Sequence, residues 1–401
     1  MQIKKYVLPR FFIIHGLYEN LAMNPYSSEH LTRKQKVNRG SFYTPKPIVE
    51  IVQHWLMEEQ IDSSYIIIDS SCGAGAFFEL RNIFKDSKFI GNDIDSEAVE
   101  YVQKIFPSVK TYSLNALHDV SRSMFGLSDD EKIIFVGNPP YNDTTSIVGK
   151  SIKTEKCLTD IDLKSRDLGI SFLLSYNKLS ADYAAILHPL SYLIKKANFR
   201  AAKDFFHNYR ILNCLVFSSS LFENTSVNAG FPIVVALYKR NPQCGTHYED
   251  VLKMDFHTIE GNCFNLSKME FISDYIDKYP GKKRYEPEIL FYTLRDINAL
   301  KRCRTFLKER IANAVDVNPE KIAYYCYIDC FKRYAQTPYW MGNLDVPFEK
   351  ASFDSMKEKF IQAARFNNRE VFGKANVPDA KTIAEVTAYM ERVVSLASNR
   401  A

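Results

Sequence analysis

Tyr65-Ile66-Ile67-Ile68-Asp69-Ser70-Ser71-Cys72-Gly73-Ala74-Gly75 is the stretch whose reading decides the fold. A run of apolar, β-branched residues passes directly into a turn that holds two glycines. A strand apolar at successive positions is covered on both faces, as in parallel sheets flanked by helices. Glycines right after such a strand let the backbone turn sharply and come close to a ligand. Outward from this point, from about 64 to 240, short β-rich runs alternate with helical ones. Strands are predicted at Tyr65–Asp69, Lys88–Asn92, Val109–Ser113, Lys132–Gly137, Tyr183–His188, Ile211–Phe217 and Ile233–Tyr238. This is the pattern of a doubly wound α/β fold. Pro47–Glu59 reads as a helix with proline in its first turn.

Two features refine the glycine loop. Asp93 ends the next strand about twenty residues on, where such folds bind ribose hydroxyls. Phe78 stands where the dinucleotide fingerprint has its third glycine, so a pyrophosphate cradle is disfavoured. A nucleoside cofactor without phosphates is expected instead, and S-adenosylmethionine is one.

A second motif, Asn138-Pro139-Pro140-Tyr141, follows the strand at Lys132–Gly137. An exocyclic purine amine is a poor nucleophile because its lone pair is delocalised into the ring. Two acceptors aimed at its hydrogens favour a more tetrahedral nitrogen. The Asn138 carboxamide oxygen can supply one and the Pro139 carbonyl the other. Pro140 holds Pro139 in extended geometry, and neither proline can donate to a ladder or a helix. Tyr141 offers a ring on which a base can stack, worth about 1–3 kcal/mol.

Asp-x-x-Cys-Gly-x-Gly followed by Asn-Pro-Pro-Tyr resembles the amino-methylating DNA methyltransferases, in particular the gamma-class, TaqI-like adenine enzymes. The resemblance covers about residues 41–240. It implies a Rossmann-like class I methyltransferase sheet of seven strands, the last one antiparallel, and then a C-terminal target-recognition domain. Ser41-Phe42-Tyr43-Thr44-Pro45 is similar to the family's N-terminal cofactor motif, which points to Tyr43 and Thr44. Asp69, Cys72, Gly73 and Gly75 then form the cofactor loop, Asp93 binds the ribose, and Ile94 packs on the cofactor adenine. Asn115 stands where the family usually has Asp facing that adenine. Phe172 resembles the aromatic that packs near the cofactor, and Asn138 lies beside it. Phe222 resembles the residue that sandwiches a flipped base against Tyr141.

The implied function is methylation of the adenine 6-amino group in double-stranded DNA by a cytoplasmic bacterial enzyme. Such an enzyme is either solitary or paired with a separately acting restriction endonuclease. Polar and aromatic groups after 241 are expected to read the DNA. RNA adenine and protein glutamine methyltransferases share the catalytic loop. Extra mass after the fold rather than before it favours nucleic acid. A non-enzymatic DNA-binding protein with a dead site is disfavoured by the intact Asn138–Tyr141 loop and Gly73.

The remaining composition is that of a globular chain. Among 401 residues, 46% are hydrophobic and 25% charged, and the formal net charge is +5. The charge is uneven. One basic run lies in the first 46 residues. Another holds Lys282, Lys283, Arg284, Arg295, Lys301, Arg302, Arg304, Lys308 and Arg310, a footprint suited to phosphates. Eight scattered cysteines read as reduced cytosolic thiols. Cys326 and Cys330 lack a completing ligand set, so no metal site is expected. His54, His118 and His188 read as structural histidines. Phe11-Phe12-Ile13-Ile14 is too short to span a membrane, and Met23 reads as a more ordinary start than Met1. The division expected is an extension at 1–40, a catalytic domain at 41–240 with a linker from Asn241 to Thr246, and a recognition domain at 241–401.

Overall fold

The computed structural model describes residues 44–141, 158–222, 230–374 and 376–398. The expected extension at 1–40, the first basic run up to Arg39, and Tyr43 lie outside them. The chain forms two compact units. The first runs to Val251 and takes back His257–Gly261; the second holds Leu252–Phe256 and the chain from Asn262 on.

In the first unit, helix α1 (Lys46–Glu58) precedes β1 (Tyr65–Asp69) and β2 (Lys88–Asn92). Helix α2 (Ser96–Ile105) leads to β3 (Lys110–Tyr112) and β4 (Lys132–Gly137). Helix α3 (Leu168–Lys178) leads to β5 (Tyr183–Pro189), β6 (Tyr209–Ser218) and β7 (Pro232–Arg240). Each of the seven predicted strands is present, within two residues at either end. Side by side they run β3-β2-β1-β4-β5-β7-β6, with β8 (Asp255–Thr258) beyond β6. β1 pairs in parallel with β2 through Ile67↔Phe89 and with β4 through Ile67↔Ile134. β7 is antiparallel to both β5 and β6, as expected of the last strand. The predicted set omits β8, which adds in parallel at Leu215↔His257.

Strand order reverses between β1 and β4. Successive connections lead away from β1 on one side and away from β4 on the other, so a crevice opens at their carboxyl ends. Ile67 and Ile134, at the centre of the sheet, are wholly buried, which accounts for the unbroken apolar runs. Asp95 caps α2 by accepting from Glu97 N, and Asp167 caps α3 by accepting from Gly169 N.

Asn241 to Thr246 is not a linker. Its Thr246 N donates to Phe206 O at 2.7 Å, and Thr246 Oγ1 donates to Tyr209 O at 2.8 Å and accepts from Ile211 N at 3.0 Å. A Cβ at Gly245 would collide with His207 O. Glycine stands there because the two backbones touch, not to loosen the chain.

The second unit centres on α4 (Ile322–Tyr334), α5 (Lys350–Asn367) and α6 (Ala380–Ser398), with a small antiparallel sheet of Leu290–Tyr292 between Phe306–Leu307 and Ala314–Asp316. Many of the aromatics expected to face a ligand build its core instead. The Tyr327 ring lies 5.3 Å from Phe348, 5.3 Å from Phe360 and 6.2 Å from Tyr389. The wholly buried Asp329 accepts from Thr305 Oγ1 and from Arg333 Nε, so the charge is not left unpaired. Among the described residues no helix is long and apolar enough to cross a membrane.

Candidate active site

The end of β1 and the turn after it build one wall of the crevice. Asp69 is 2% exposed and its Oδ1 accepts from Ser71 N at 3.1 Å. Cys72 N donates to Asn92 O at 2.8 Å, tying the loop to β2. Gly73 (φ +49°) donates its N–H to Asp93 Oδ2 at 2.9 Å, and a Cβ built on it would meet nothing within 4 Å. Gly75 (φ +81°) is different: a Cβ there would stand 2.7 Å from Phe78. A short 3₁₀ helix, Ala76–Asn82, follows. Its Phe78 also lies where a Cβ on Gly91 would be, at 2.8 Å. The close helix–strand approach is therefore kept, with the small residue on the strand and the large one on the helix.

Asp93 accepts from Asp95 N at 3.0 Å as well as from Gly73 N. Burial pushes its carboxyl upward, and these two bonds pull against that. Next to it Ile94 is 64% exposed, an apolar side chain left uncovered at the carboxyl end of β2. Asn115 sits less freely than its expected role suggests. Its Nδ2 donates to Leu158 O at 2.7 Å, and its Oδ1 accepts from Leu117 N at 3.0 Å. Thr44 is buried just ahead of α1. Phe172 on α3 packs on Tyr176, whose ring stacks on Phe135 of β4 and whose hydroxyl lies 3.1 Å from Ser70 Oγ.

The facing wall is the end of β4. A Cβ on Gly137 would stand 3.0 Å from Asp69 Oδ1, so this glycine lets the carboxyl fit against the residue before Asn138. Tyr141 donates its hydroxyl to Asn138 Oδ1 at 2.5 Å. Burial pushes the Tyr141 phenol well up, aided by nearby Asp167 and opposed by the Asn138 bond, so the phenol stays a donor. Phe222 is a core residue in this structure. It is 2% exposed and packs edge-on to Phe217 at 5.7 Å, in the core cluster on which Tyr141 rests. Its side chain is thus largely enclosed by that core.

Sequence reasoning missed three positions. Asn92 is wholly buried, donates to Ser70 O and Leu114 O, and accepts from Leu114 N. It thereby ties the loops after β1 and β3 to the end of β2; a lone amide in an apolar strand was the available signal. Asp167 accepts the Tyr192 hydroxyl close to Tyr141; its place ahead of α3 signals a helix cap but not this contact. His118 is not without partners: it lies 3.4 Å from Asp119 and 3.6 Å from Asp160. Asp160 is 41 residues beyond Asp119 and unreadable by spacing.

Burial pushes the Asp69 carboxyl up to about 8, with the Ser71 N–H pulling it down and the Asp93 charge raising it further. Between its usual 3.8 and about 8 the folded chain keeps a proton that the unfolded chain has lost. Stability from this group is therefore full at low pH and falls as pH rises through that window. Asp69→Asn stays neutral throughout. Its melting temperature relative to wild type should climb from about pH 5 to about pH 8; a pH-independent difference in thermal denaturation would contradict this.

Strand order, glycine loop and Asn-Pro-Pro-Tyr loop define a class I methyltransferase. The chain belongs to the N-6 DNA Methylase family, whose model matches residues 18–283. It is 30% identical over 115 residues to the Type II methyltransferase M.CvrRI of Paramecium bursaria Chlorella virus XZ-6E, a match over 28% of this chain and 27% of that one. The chain thus spans about a quarter of the length of that curated relative. Solved structures similar to it include a modification subunit assigned to a type I restriction enzyme of Vibrio vulnificus YJ016 (16% identity, TM-score 0.40, 57% of this chain and 50% of that one). Another, from Listeria monocytogenes, is assigned to the class I S-adenosylmethionine-dependent methyltransferases (14% identity, TM-score 0.40, 61% and 72%). The fold rests on the strand order, not on these.

The methyl donor of this class is S-adenosylmethionine, and the residues present fit it. Among the described residues, nothing stands within 4 Å of a Cβ built on Gly73, and Ser71 Oγ is buried without a hydrogen-bond partner. The Asp93 carboxylate is held in place by the N–H groups of Gly73 and Asp95, and a carboxylate has lone pairs enough to accept further donors.

Proposed function

We propose that this protein methylates the 6-amino group of adenine in duplex DNA after the base has left the stack. The observation that carries the reading is the Asn138–Tyr141 loop at the end of β4, beside the glycine loop at the switch point. S-adenosylmethionine supplies an electrophilic methyl group. Asp93 and Gly73 hold its nucleoside part, and Ile94 covers the adenine. Asn138 Oδ1, which also accepts from the Tyr141 hydroxyl, takes one amine hydrogen and the Pro139 carbonyl the second. The Tyr141 ring stacks on the base and offsets part of the few kcal/mol that extrusion costs. Phe222 is left out of this assignment. A restriction–modification setting, with any endonuclease acting separately, accords with the family and with the type II methyltransferase to which part of the chain is similar.

Tritiated methyl transfer to duplex DNA, RNA and protein side by side tests the reading. Label confined to adenine in DNA is expected. Label in RNA or in glutamine instead would replace it.

The second unit is proposed to read the target and grip its phosphates. Not every cation of the second basic run serves. Arg310 and Arg284 pair with Asp316, and Arg310 also with Glu288. Lys282, Lys283, Arg302, Arg304 and Lys308 are exposed. DNA affinity should fall roughly linearly with salt on a log–log plot. Arg302→Gln with Arg304→Gln should reduce the slope by about 1 for each phosphate no longer gripped. A slope equal to wild type would mean that these side chains face only solvent.

A further inference from the structure

At the amino ends of the strands, across the sheet from the crevice, the first unit has a second cleft of about 530 Å³. Arg81 from the 3₁₀ helix, Lys85 from the following turn, Lys88 at the start of β2 and Lys110 at the start of β3 converge on it. Among the described residues Glu131 is the one carboxylate of its lining, and it approaches Lys88 only to 3.8 Å. Four cations against one anion leave three positive charges in a concave surface, which focuses the field on anything held there. Two cationic heads are also placed in advance. The Arg81 guanidinium lies over Phe106 at 5.7 Å, and the Lys110 ammonium over Tyr112 at 5.1 Å. Lys110 Nζ would stand 3.1 Å from a Cβ on Gly126, whose φ is +67°. A side chain at 126 would thus crowd that ammonium.

The rest of the lining is of two kinds. Ser87 and Ser108 add hydroxyls, while Phe89 and Leu127 add apolar surface. Cations and hydroxyls suit phosphate oxygens; an apolar wall suits the flat body of a base or a sugar edge. The volume falls in the range of small-ligand sites, about 300–1,000 Å³. We propose that this cleft is a binding site for a nucleotide phosphate, distinct from the methyl-transfer crevice. It holds the phosphate through Arg81, Lys85 and Lys110. Methyl transfer does not require it, so the proposal stands or falls apart from the function proposed above.

The probes are inorganic pyrophosphate, ADP and a short single-stranded oligonucleotide, each titrated calorimetrically at low salt into the full chain and into Lys85→Glu/Lys110→Glu. Both lysines are exposed, so the variant should fold; an unchanged S-adenosylmethionine titration and circular dichroism spectrum check this. At least one probe should bind wild type and lose tenfold or more in the variant. If pyrophosphate and ADP respond, the source is a free nucleotide. If only the oligonucleotide responds, it is a nucleic-acid backbone. No binding by any probe, or equal binding by the variant, overturns the proposal.

Discussion

Asn138→Ala is expected to cut methyl transfer by several orders of magnitude while S-adenosylmethionine and DNA still bind. An acceptor that acts on the amine mainly as it becomes tetrahedral contributes to the rate constant and little to ground-state affinity. The Tyr141 hydroxyl gives the test a second arm. In this structure it donates to Asn138 Oδ1, so Asn138→Ala leaves a buried hydroxyl without that acceptor. Tyr141→Ala removes the stacking ring, and Tyr141→Phe keeps it. With 2-aminopurine at the target adenine, the fluorescence rise on extrusion should persist in Asn138→Ala and Tyr141→Phe and shrink in Tyr141→Ala. Near-normal turnover of Asn138→Ala on DNA would remove the main support for the proposed chemistry.

The second large effect is expected at Asp93. Asp93→Ala should weaken S-adenosylmethionine binding by about 1.5–3 kcal/mol, the range for hydrogen bonds to a charged group, or roughly ten- to a hundredfold. Two contributions add. The ribose loses its acceptor, and Gly73 N and Asp95 N lose theirs, so the loop is less well held before the cofactor arrives. Asp93→Asn keeps one acceptor oxygen and should fall between alanine and wild type. Calorimetry showing unchanged affinity in Asp93→Ala would take Asp93 out of the site.

The sheet was legible because its strands advertise themselves locally. Ile66-Ile67-Ile68 and Ile133-Ile134-Phe135-Val136 are apolar runs bounded by Asp69 and by Gly137, and continuous burial needs nothing more to be read. The two walls of the crevice were legible for a related reason: each is a short loop whose residues adjoin in sequence. What failed depends on distant chain. Phe222 could be an exposed base clamp or a core ring until Phe217 and its neighbours close on it. Asn241–Thr246 has the composition of a linker, and only the approach of His207 to Gly245 makes it a strap. The amide of Asn115 is engaged by Leu158, 43 residues away. For the aromatics after 241, composition does not tell inside from outside; Tyr327 and Phe360 are inside.

The central position of β1 carries a consequence for synthesis. Its partner on one side, β4, begins at Lys132, about 67 residues after Tyr65. At roughly 5–20 residues per second, a ribosome leaves that edge of Ile66-Ile67-Ile68 unpaired for about 3–13 seconds. An apolar strand edge exposed for so long is a template for pairing with another chain. Slower translation between 70 and 132 should therefore lower the soluble yield, and holdase chaperones that cover extended apolar segments should restore it.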